Sequence, residues 1–108
     1  MEITHRQEGE FLVVAPVGRL DALVSERLEE TVKQLLPDGS GSIVFDCSGV
    51  SYASSATLRV FLATAKRAKT QGVRCRFAKL TKPLQDLFDL SGFTDVLEVH
   101  ETLESALS

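Results

Sequence analysis

The spacing of hydrophobic and polar positions changes twice in the first third of the chain. The stretch "FLVVAPV", Phe11 to Val17, is almost wholly apolar and predicts a strand. A turn over Glu8–Glu10 joins it to a weaker predicted strand over Met1–Gln7. Helical spacing then begins in "RLDALVSERLEETVKQLL", where one stripe contains Leu28, Val32, Leu35 and Leu36. The run from Pro37 to Gly41 predicts the end of that helix.

A second change from strand to helix spacing lies in the middle of the chain. "SIVFDCS", residues 42–48, predicts a buried central strand, and the period becomes 3.6 residues from Leu58 onward. Gly72 ends the predicted helix. Its apolar face contains Leu58, Phe61, Leu62, Ala65 and Ala68. The residues largely outside that face are Arg59, Ala63, Lys66, Arg67 and Thr70.

The last third predicts two more strands and two more helices. "VRCRFAKL", residues 73–80, alternates as a strand does, with Val73, Cys75 and Phe77 inward and Arg74 and Arg76 outward. Thr81 and Pro83 begin a third helix that Gly92 ends, "VLEV" predicts a short strand, and residues 102–107 a terminal helix. The order ββαβαβαβα predicts a single α/β domain over residues 1–108, with a mixed four- to five-stranded sheet and about four helices.

Composition narrows the class of protein. The chain has 108 residues, of which 44% are hydrophobic, and this suits one packed core. The longest unbroken apolar run, Phe11 to Ala15, is far too short to span a bilayer, and the N-terminal residues do not resemble a secretion signal. Cys47 and Cys75 lie in different predicted strands without metal-type spacing. We therefore expect free, largely buried thiols in a cytoplasmic protein.

The charges are distributed unevenly. The formal net charge is −3, yet residues 56–82 contain eight basic residues and no acidic one, and residues 83–108 contain six acidic residues and no basic one. This pattern is either a solvated surface that keeps the protein in solution or a basic docking face for an acidic partner. Nucleic acid suits the pattern less well, because Phe61 and Phe77, the aromatic residues of the basic stretch, are predicted to be buried.

The sequence contains few of the residues and motifs that are typical of an enzyme active site. His5 and His100 are the only histidines, and neither has a cysteine or carboxylate at metal-ligand spacing. No glycine-rich cofactor fingerprint, HExxH motif or GxSxG motif is present, and no histidine lies near Ser54 or Ser55 in sequence. The sequence thus predicts a binding protein rather than an enzyme, with no catalytic residue, metal or cofactor.

Ser54 and Ser55 lie where strand spacing gives way to helix spacing. After Cys47 the chain is expected to turn through Ser48–Tyr52 and to enter the helix at one of the two serines. A serine there can accept a bond from a free N–H group of the first turn, and losing such a cap costs about 1 kcal/mol. A phosphate there would meet the same N–H groups and the positive end of the helix. The pair is therefore either a cap alone or a cap beside a modification site.

Three stretches together resemble the STAS family, which is named for sulfate transporters and anti-sigma-factor antagonists. They are "VGRLDA", "IVFDCSGVSYASSATLRVFL" and "LQDLFDLSGFTDVL", within a resemblance that runs from Glu2 to Ala106. The single-domain length matches that of the bacterial anti-sigma-factor antagonists, and the chain resembles this type. This implies that the unmodified protein binds a partner that is both an anti-sigma factor and a serine kinase of the histidine-kinase-like ATPase type. Phosphorylation at the junction then releases that partner.

The family junction usually reads Asp-Ser-Ser/Thr-Gly-Leu. Carried over in order, these positions fall on Ser54, Ser55, Ala56, Thr57 and Leu58. The resemblance therefore implies phosphorylation at Ser55, with Ser54 as the second choice. It also places Asp21 near the same surface, although a helix-capping role explains that residue equally well. Together with the basic helix face, the expected partner surface contains Asp21, Ser54, Ser55, Ala56, Thr57, Arg59, Ala63, Lys66 and Arg67.

Three functions remain open on the sequence alone. The first is an anti-sigma-factor antagonist that an anti-sigma factor and serine kinase switches off by phosphorylation, with a phosphatase as a further partner to consider. The second is a non-phosphorylated STAS adaptor that docks on another protein, such as a transport ATPase. The third is a sensor of a small ligand or nucleotide on the same scaffold. We expect the free protein to be a monomer that binds neither nucleic acid nor membrane.

Overall fold

A computed structural model describes residues 2–36 and 41–108, and within them six strands form one sheet. The strands are β1 (Glu2–Glu8), β2 (Phe11–Leu20), β3 (Ser42–Asp46), β4 (Val50–Ala53), β5 (Cys75–Ala78) and β6 (Glu98–His100). The helices are α1 (Ala22–Leu35), α2 (Ser55–Gln71), α3 (Lys82–Ser91) and α4 (Leu103–Leu107), with a 3-10 turn over Phe93–Asp95. The break predicted from Pro37 onward lies outside the described residues, apart from Gly41.

The longest strand, β2, organises the sheet. One of its edges pairs antiparallel with β1, from Glu2 opposite Val17 to Glu8 opposite Phe11. Its other edge pairs in parallel with β3 and then, further along, with β4. Beyond β3 the sheet continues in parallel through β5 to β6. The predicted mixed α/β class is confirmed.

The short strand β4 departs from the sequence prediction, which had a turn over Ser48–Tyr52. The turn covers only Ser48 and Gly49, and β4 follows at once. The four residues of β4 do not alternate, since Val50 and Ala53 are buried and Ser51 and Tyr52 are exposed, so no period of two marks this strand in the sequence. Its pairing depends on β2, because the N–H of Gly18 donates to the carbonyl of Gly49 at 2.8 Å. Gly18 has a φ of 98°, and β2 shifts its register there, so that one strand can pair with β3 and β4 in succession.

The main core lies between the sheet and the first three helices. Four fully buried phenylalanines (Phe45, Phe61, Phe77 and Phe88) form its centre, with ring centroids 4.9 Å apart in the closest pairs. On α2 the predicted Leu58, Phe61 and Ala68 are buried. The buried stripe is rotated from the prediction, however: Leu62 and Ala65 are half-buried, and their places are taken by Thr57, Val60 and Thr64.

Arg76 was predicted to point outward, and the structure corrects this prediction. Arg76 does leave the helix-covered face of the sheet, but α4 packs on the opposite face and buries it. Its Nη1 donates to the carbonyl of Ala106 at 2.9 Å, and its Nε lies 2.6 Å from Oε2 of Glu98. Strand alternation could not reveal that a terminal helix covers the second face. Arg76 is therefore not part of an exposed basic face.

Both cysteines are free, as predicted, but they differ in exposure. Cys47 is fully buried, whereas Cys75 is partly exposed. Burial raises the pKa of the Cys47 thiol far above its ordinary value, and the charge of Asp46 adds to this. Burial, and secondly the charge of Glu98, raises the pKa of Cys75 to about 12. Because the thiolate is the reactive form, both thiols should be poor nucleophiles in the native protein.

We expect a thiol reagent to label the native protein slowly near neutral pH, and Cys75 to react before Cys47. In denaturant both thiols should react at the rate of an ordinary cysteine. The measurement is labelling followed by mass spectrometry, with Cys75→Ser and Cys47→Ala as paired variants. Cys75→Ser should abolish the detectable native phase, and Cys47→Ala should retain it. Rapid native labelling of the Cys75→Ser variant would contradict the burial of Cys47.

Candidate functional site

Three helices begin at one edge of the sheet, where the parallel strands β2, β4 and β5 end. Their N-cap residues are Asp21 for α1, Ser54 for α2 and Thr81 for α3. Binding sites of open α/β sheets usually lie at this carboxyl edge of the strands. Helix N-termini also present free N–H groups there. This edge, which includes the serine pair, is the candidate site.

The fold brings Asp21 and the serine pair together, although Ser54 lies 33 positions after Asp21 in the sequence. The N–H of Ser54 donates to the carbonyl of Leu20 at 3.0 Å, so α2 begins beside the residue that precedes Asp21. Oδ1 of Asp21 accepts a bond from the N–H of Val24 at 3.0 Å. The capping role of Asp21 is thereby confirmed. Its side chain is exposed, and its contact with a partner remains a prediction.

A hydroxyl cluster lies directly behind the serine pair; it consists of the hydroxyls of Ser25, Ser54 and Thr57 and the carbonyl of Leu20. Oγ1 of Thr57 donates to the Leu20 carbonyl at 2.8 Å. Since its single proton is used there, Thr57 accepts from Oγ of Ser25, which lies 2.7 Å away. Oγ of Ser54 lies 3.4 Å from the same Thr57 oxygen. The cluster thus joins the end of β2 to α1 and α2.

Thr57 has to be removed from the predicted partner surface. Its side chain is 0% exposed, because the third residue of α2 faces α1 rather than solvent. The expectation that Thr57 is part of the partner surface was therefore wrong. A threonine can occupy this interior position because the cluster satisfies its hydroxyl.

The two serines have different environments. Ser54 is the N-cap residue by backbone geometry, with φ of −91° and ψ of 172°, but its side chain accepts no bond from the first turn of α2. The predicted side-chain cap is thus absent, and the half-buried hydroxyl faces Thr57 instead. Ser55, as predicted for the helix start, is the first residue of α2. Its side chain is exposed and forms no hydrogen bond with any described residue.

The remaining predicted surface residues lie along α2. Arg59, Ala63 and Lys66 are exposed, whereas Ala56 and Arg67 are half-buried. Arg67 lies at the far end of α2, beside the last turn of α1.

A groove between α1 and α2, called here the α1–α2 groove, begins beside the serine pair and has a volume of about 530 Å³. On α2 it is lined by Ala56, Arg59, Val60, Leu62, Ala63 and Lys66, and on α1 by Ala22, Ser25, Glu26 and Glu29. The sequence prediction contained only the α2 side. Apart from Ala22, which ends the stretch "VGRLDA", the α1 residues belong to no motif, and their spacing at i, i+3, i+4 and i+7 was the available signal.

His100 makes its hydrogen bonds away from the serine pair. Nδ1 of His100 lies 2.7 Å from Oγ of Ser105, which joins β6 to α4, and its Nε2 lies 2.7 Å from Oε2 of Glu98 within β6. Within residues 2–36 and 41–108, no group of three or more His, Cys, Asp or Glu side chains could hold a metal ion. In the same part of the chain, no helix is long and apolar enough to cross a membrane.

Comparison with known proteins gives the family. The model of the STAS domain matches residues 2–106. The chain belongs to the STAS domain family. An anti-sigma-B factor antagonist of Staphylococcus epidermidis is 28% identical to this STAS protein over 102 residues, which cover 94% of this chain and 92% of the relative.

Solved structures share this fold at low sequence identity. A Thermotoga maritima protein assigned as an anti-sigma factor antagonist has a TM-score of 0.91 at 15% identity, covering 97% of this chain and 91% of its own. The antagonist SpoIIAA has a TM-score of 0.81 in its unphosphorylated form, at 16% identity, covering 98% of this chain and 93% of its own. The phosphorylated form from Bacillus has a TM-score of 0.77 at 17% identity, with coverages of 98% and 96%.

The hydroxyl cluster should make Thr57 more important to stability than Ser54. Thr57→Val keeps the shape but leaves the Ser25 hydroxyl without its buried acceptor, and we expect a loss of about 1–3 kcal/mol in the free energy of unfolding. Thr57→Ser retains the hydroxyl and should lose less. Ser54→Ala removes no cap bond and should cost under about 0.5 kcal/mol. Chemical denaturation measures all three, and a larger loss for Ser54→Ala than for Thr57→Val would contradict the cluster.

Proposed function

We propose that this STAS protein is an anti-sigma-factor antagonist whose partner binding is switched off by phosphorylation of Ser55. The proposed partner is an anti-sigma factor that is also a serine kinase of the histidine-kinase-like ATPase type. The observation that carries the proposal is the exposed, unbonded Ser55 hydroxyl at the start of α2. The names of the sequence relatives, which are anti-sigma factor antagonists, support the same function.

Accessibility favours Ser55 over Ser54 as the phosphate acceptor. A kinase has to approach the hydroxyl and align its oxygen with the transferred phosphoryl group. Ser55 offers a hydroxyl that faces solvent. Ser54 is half-buried, and its oxygen faces Thr57 within the hydroxyl cluster. Phosphorylation of Ser54 would require its side chain to turn out of that cluster, so it remains the second choice.

The fold itself should tolerate a phosphate on Ser55. The group would carry about −1.5 to −2 charges at the positive end of a helix that contains no acidic residue. Arg59 is four residues further along the helix, a spacing at which side chains on a helix surface meet. A phosphate could therefore pair with Arg59 and withdraw it from a partner.

A partner packed against the start of α2 would not tolerate that phosphate. Its charge would have to be removed from water within the interface, and the cost of burying an uncompensated charge is several kcal/mol. The switch in this proposal is therefore local. The modification adds charge where the partner binds, and no change of fold is needed.

A second candidate function is the adaptor that docks without phosphorylation. It is favoured by the departures at Ser54 and Thr57, where the family pattern has aspartate and glycine. In this function Ser55 would be an ordinary exposed residue, and the same surface would bind another protein, such as a transport ATPase.

Mapping of the phosphate after incubation with ATP and the anti-sigma kinase of the same genome tests the proposal. We expect phosphate on Ser55, constitutive binding by Ser55→Ala, and weak binding by Ser55→Asp with unchanged stability. Ser51→Ala is the matched control, because Ser51 is an exposed serine on neighbouring β4 and should behave as wild type. Phosphate on Ser54 would make Ser54 the acceptor. Intact partner binding by a protein on which the kinase phosphorylates no serine would favour the adaptor.

A further inference from the structure

We infer that the α1–α2 groove receives one α-helix of the partner protein, and that this helix carries an acidic flank and a basic flank. The inference rests on the proposed function only for the identity of that partner. It adds a wall to the binding surface, on α1, that neither the sequence motifs nor the serine pair indicate.

The length and direction of the groove fit a helix. On α1 the lining residues span Ala22 to Glu29, and on α2 they span Ala56 to Lys66. At the rise of an α-helix these spans correspond to about 10 Å and about 15 Å, or two to three turns. Both sets of residues recur every three or four positions, so each helix presents one straight stripe to the groove. A third helix lying between the two stripes would contact both along their length.

The side chains that line the groove permit a partner helix to approach closely. Four of its ten lining residues are small, namely Ala22, Ser25, Ala56 and Ala63. Helix axes pack about 8–10 Å apart, and the distance depends on the side chains at the contact. The half-buried Leu62 adds apolar surface that a partner would cover. Small residues beside an apolar side chain therefore provide the contact surface for a helix ridge.

The two walls of the groove carry opposite charges, and each sign of charge lies on its own helix. Glu26 and Glu29 lie on the α1 wall, whereas Arg59 and Lys66 lie on the α2 wall. Within the described residues, none of the ion pairs crosses the groove. A helix with lysine or arginine toward α1 and aspartate or glutamate toward α2 would pair with both walls. Exposed pairs contribute only about 0.2–1 kcal/mol each, so they select the partner and its direction more than they set affinity.

The helices of a second copy of this chain fit the groove less well. The solvent side of α2 is basic without any acidic residue, and α4 contains a single charge, Glu104. The only basic residue of α3 is Lys82, which already pairs with Asp86 at 2.9 Å. On α1, Glu26 and Glu29 already form the acidic wall of the groove. A separate protein is therefore the occupant that the charges favour.

The inference can be tested with three stapled helical peptides that share one small apolar face. The first has a lysine flank and a glutamate flank, the second has lysine on both flanks, and the third has glutamate on both. In an NMR titration of the whole protein, we expect the first peptide to bind about tenfold more tightly than either other, which corresponds to about 1.4 kcal/mol. The amide signals that shift should belong to α1 and α2.

Charge-reversal variants make this test specific. Glu26→Lys combined with Glu29→Lys turns both walls basic and should transfer the preference to the peptide with two glutamate flanks. Glu30→Lys is the matched control, since Glu30 is exposed on α1 but does not line the groove. It should retain the preference for the mixed peptide.

Equal binding of the three peptides, or shifts confined to other elements, would overturn the inference. A dimer in solution that occupies these two helices would also overturn it, because the occupant would then be a second copy. Neither kinase nor phosphate enters the titration. A failure to phosphorylate Ser55 therefore leaves this result intact, and an empty groove leaves the phosphorylation result intact.

Discussion

The carbonyl of Leu20 is the point on which the geometry of the candidate site depends. It accepts one bond from the N–H of Ser54 and one from the hydroxyl of Thr57, so both of its lone pairs are used. These two bonds fix the first turn of α2 against the last residue of β2. They lie in a buried environment, where an unsatisfied carbonyl would cost about 1–3 kcal/mol. The position of Ser55, one residue beyond Ser54, follows from them.

The same cluster also sets the relation between α1 and α2. Ser25 donates to Thr57 from α1, and Ser25 is at the same time a lining residue of the α1–α2 groove. The base of the groove and the start of α2 are therefore parts of one hydrogen-bonded unit. A partner that contacts both the serine pair and the groove would thus meet a surface whose two parts are held in fixed positions before it binds, which lowers the cost of ordering.

Part of the fold and of the candidate site could be predicted from the sequence. The other features depend on contacts between elements that are distant in the sequence. The start of α2 at Ser55 follows from a local change of period, and Asp21 from its position before a helical stripe. The burial of Thr57 does not follow, because a hydroxyl counts as polar until its partners, Leu20 and Ser25, are known. The burial of Arg76 and the existence of β4 likewise depend on α4 and β2, which approach them only in the folded chain.

The two positions at which the resemblance implies a departure from the family junction, Ser54 and Thr57, are in contact. The hydroxyl of Thr57 donates its hydrogen bond to the Leu20 carbonyl, so it presents only lone pairs toward residue 54, whose side-chain oxygen is 3.4 Å away. The carboxylate of an aspartate at that position would place negative charge against those lone pairs, whereas the hydroxyl of Ser54 can direct a proton at them. A glycine at position 57 would remove this repulsion, and it would also remove the hydroxyl that holds the hydroxyl cluster together. The serine at 54 is thus a residue type that a buried threonine at 57 accommodates, and a hydroxyl contact is present where the resemblance implies a charged cap.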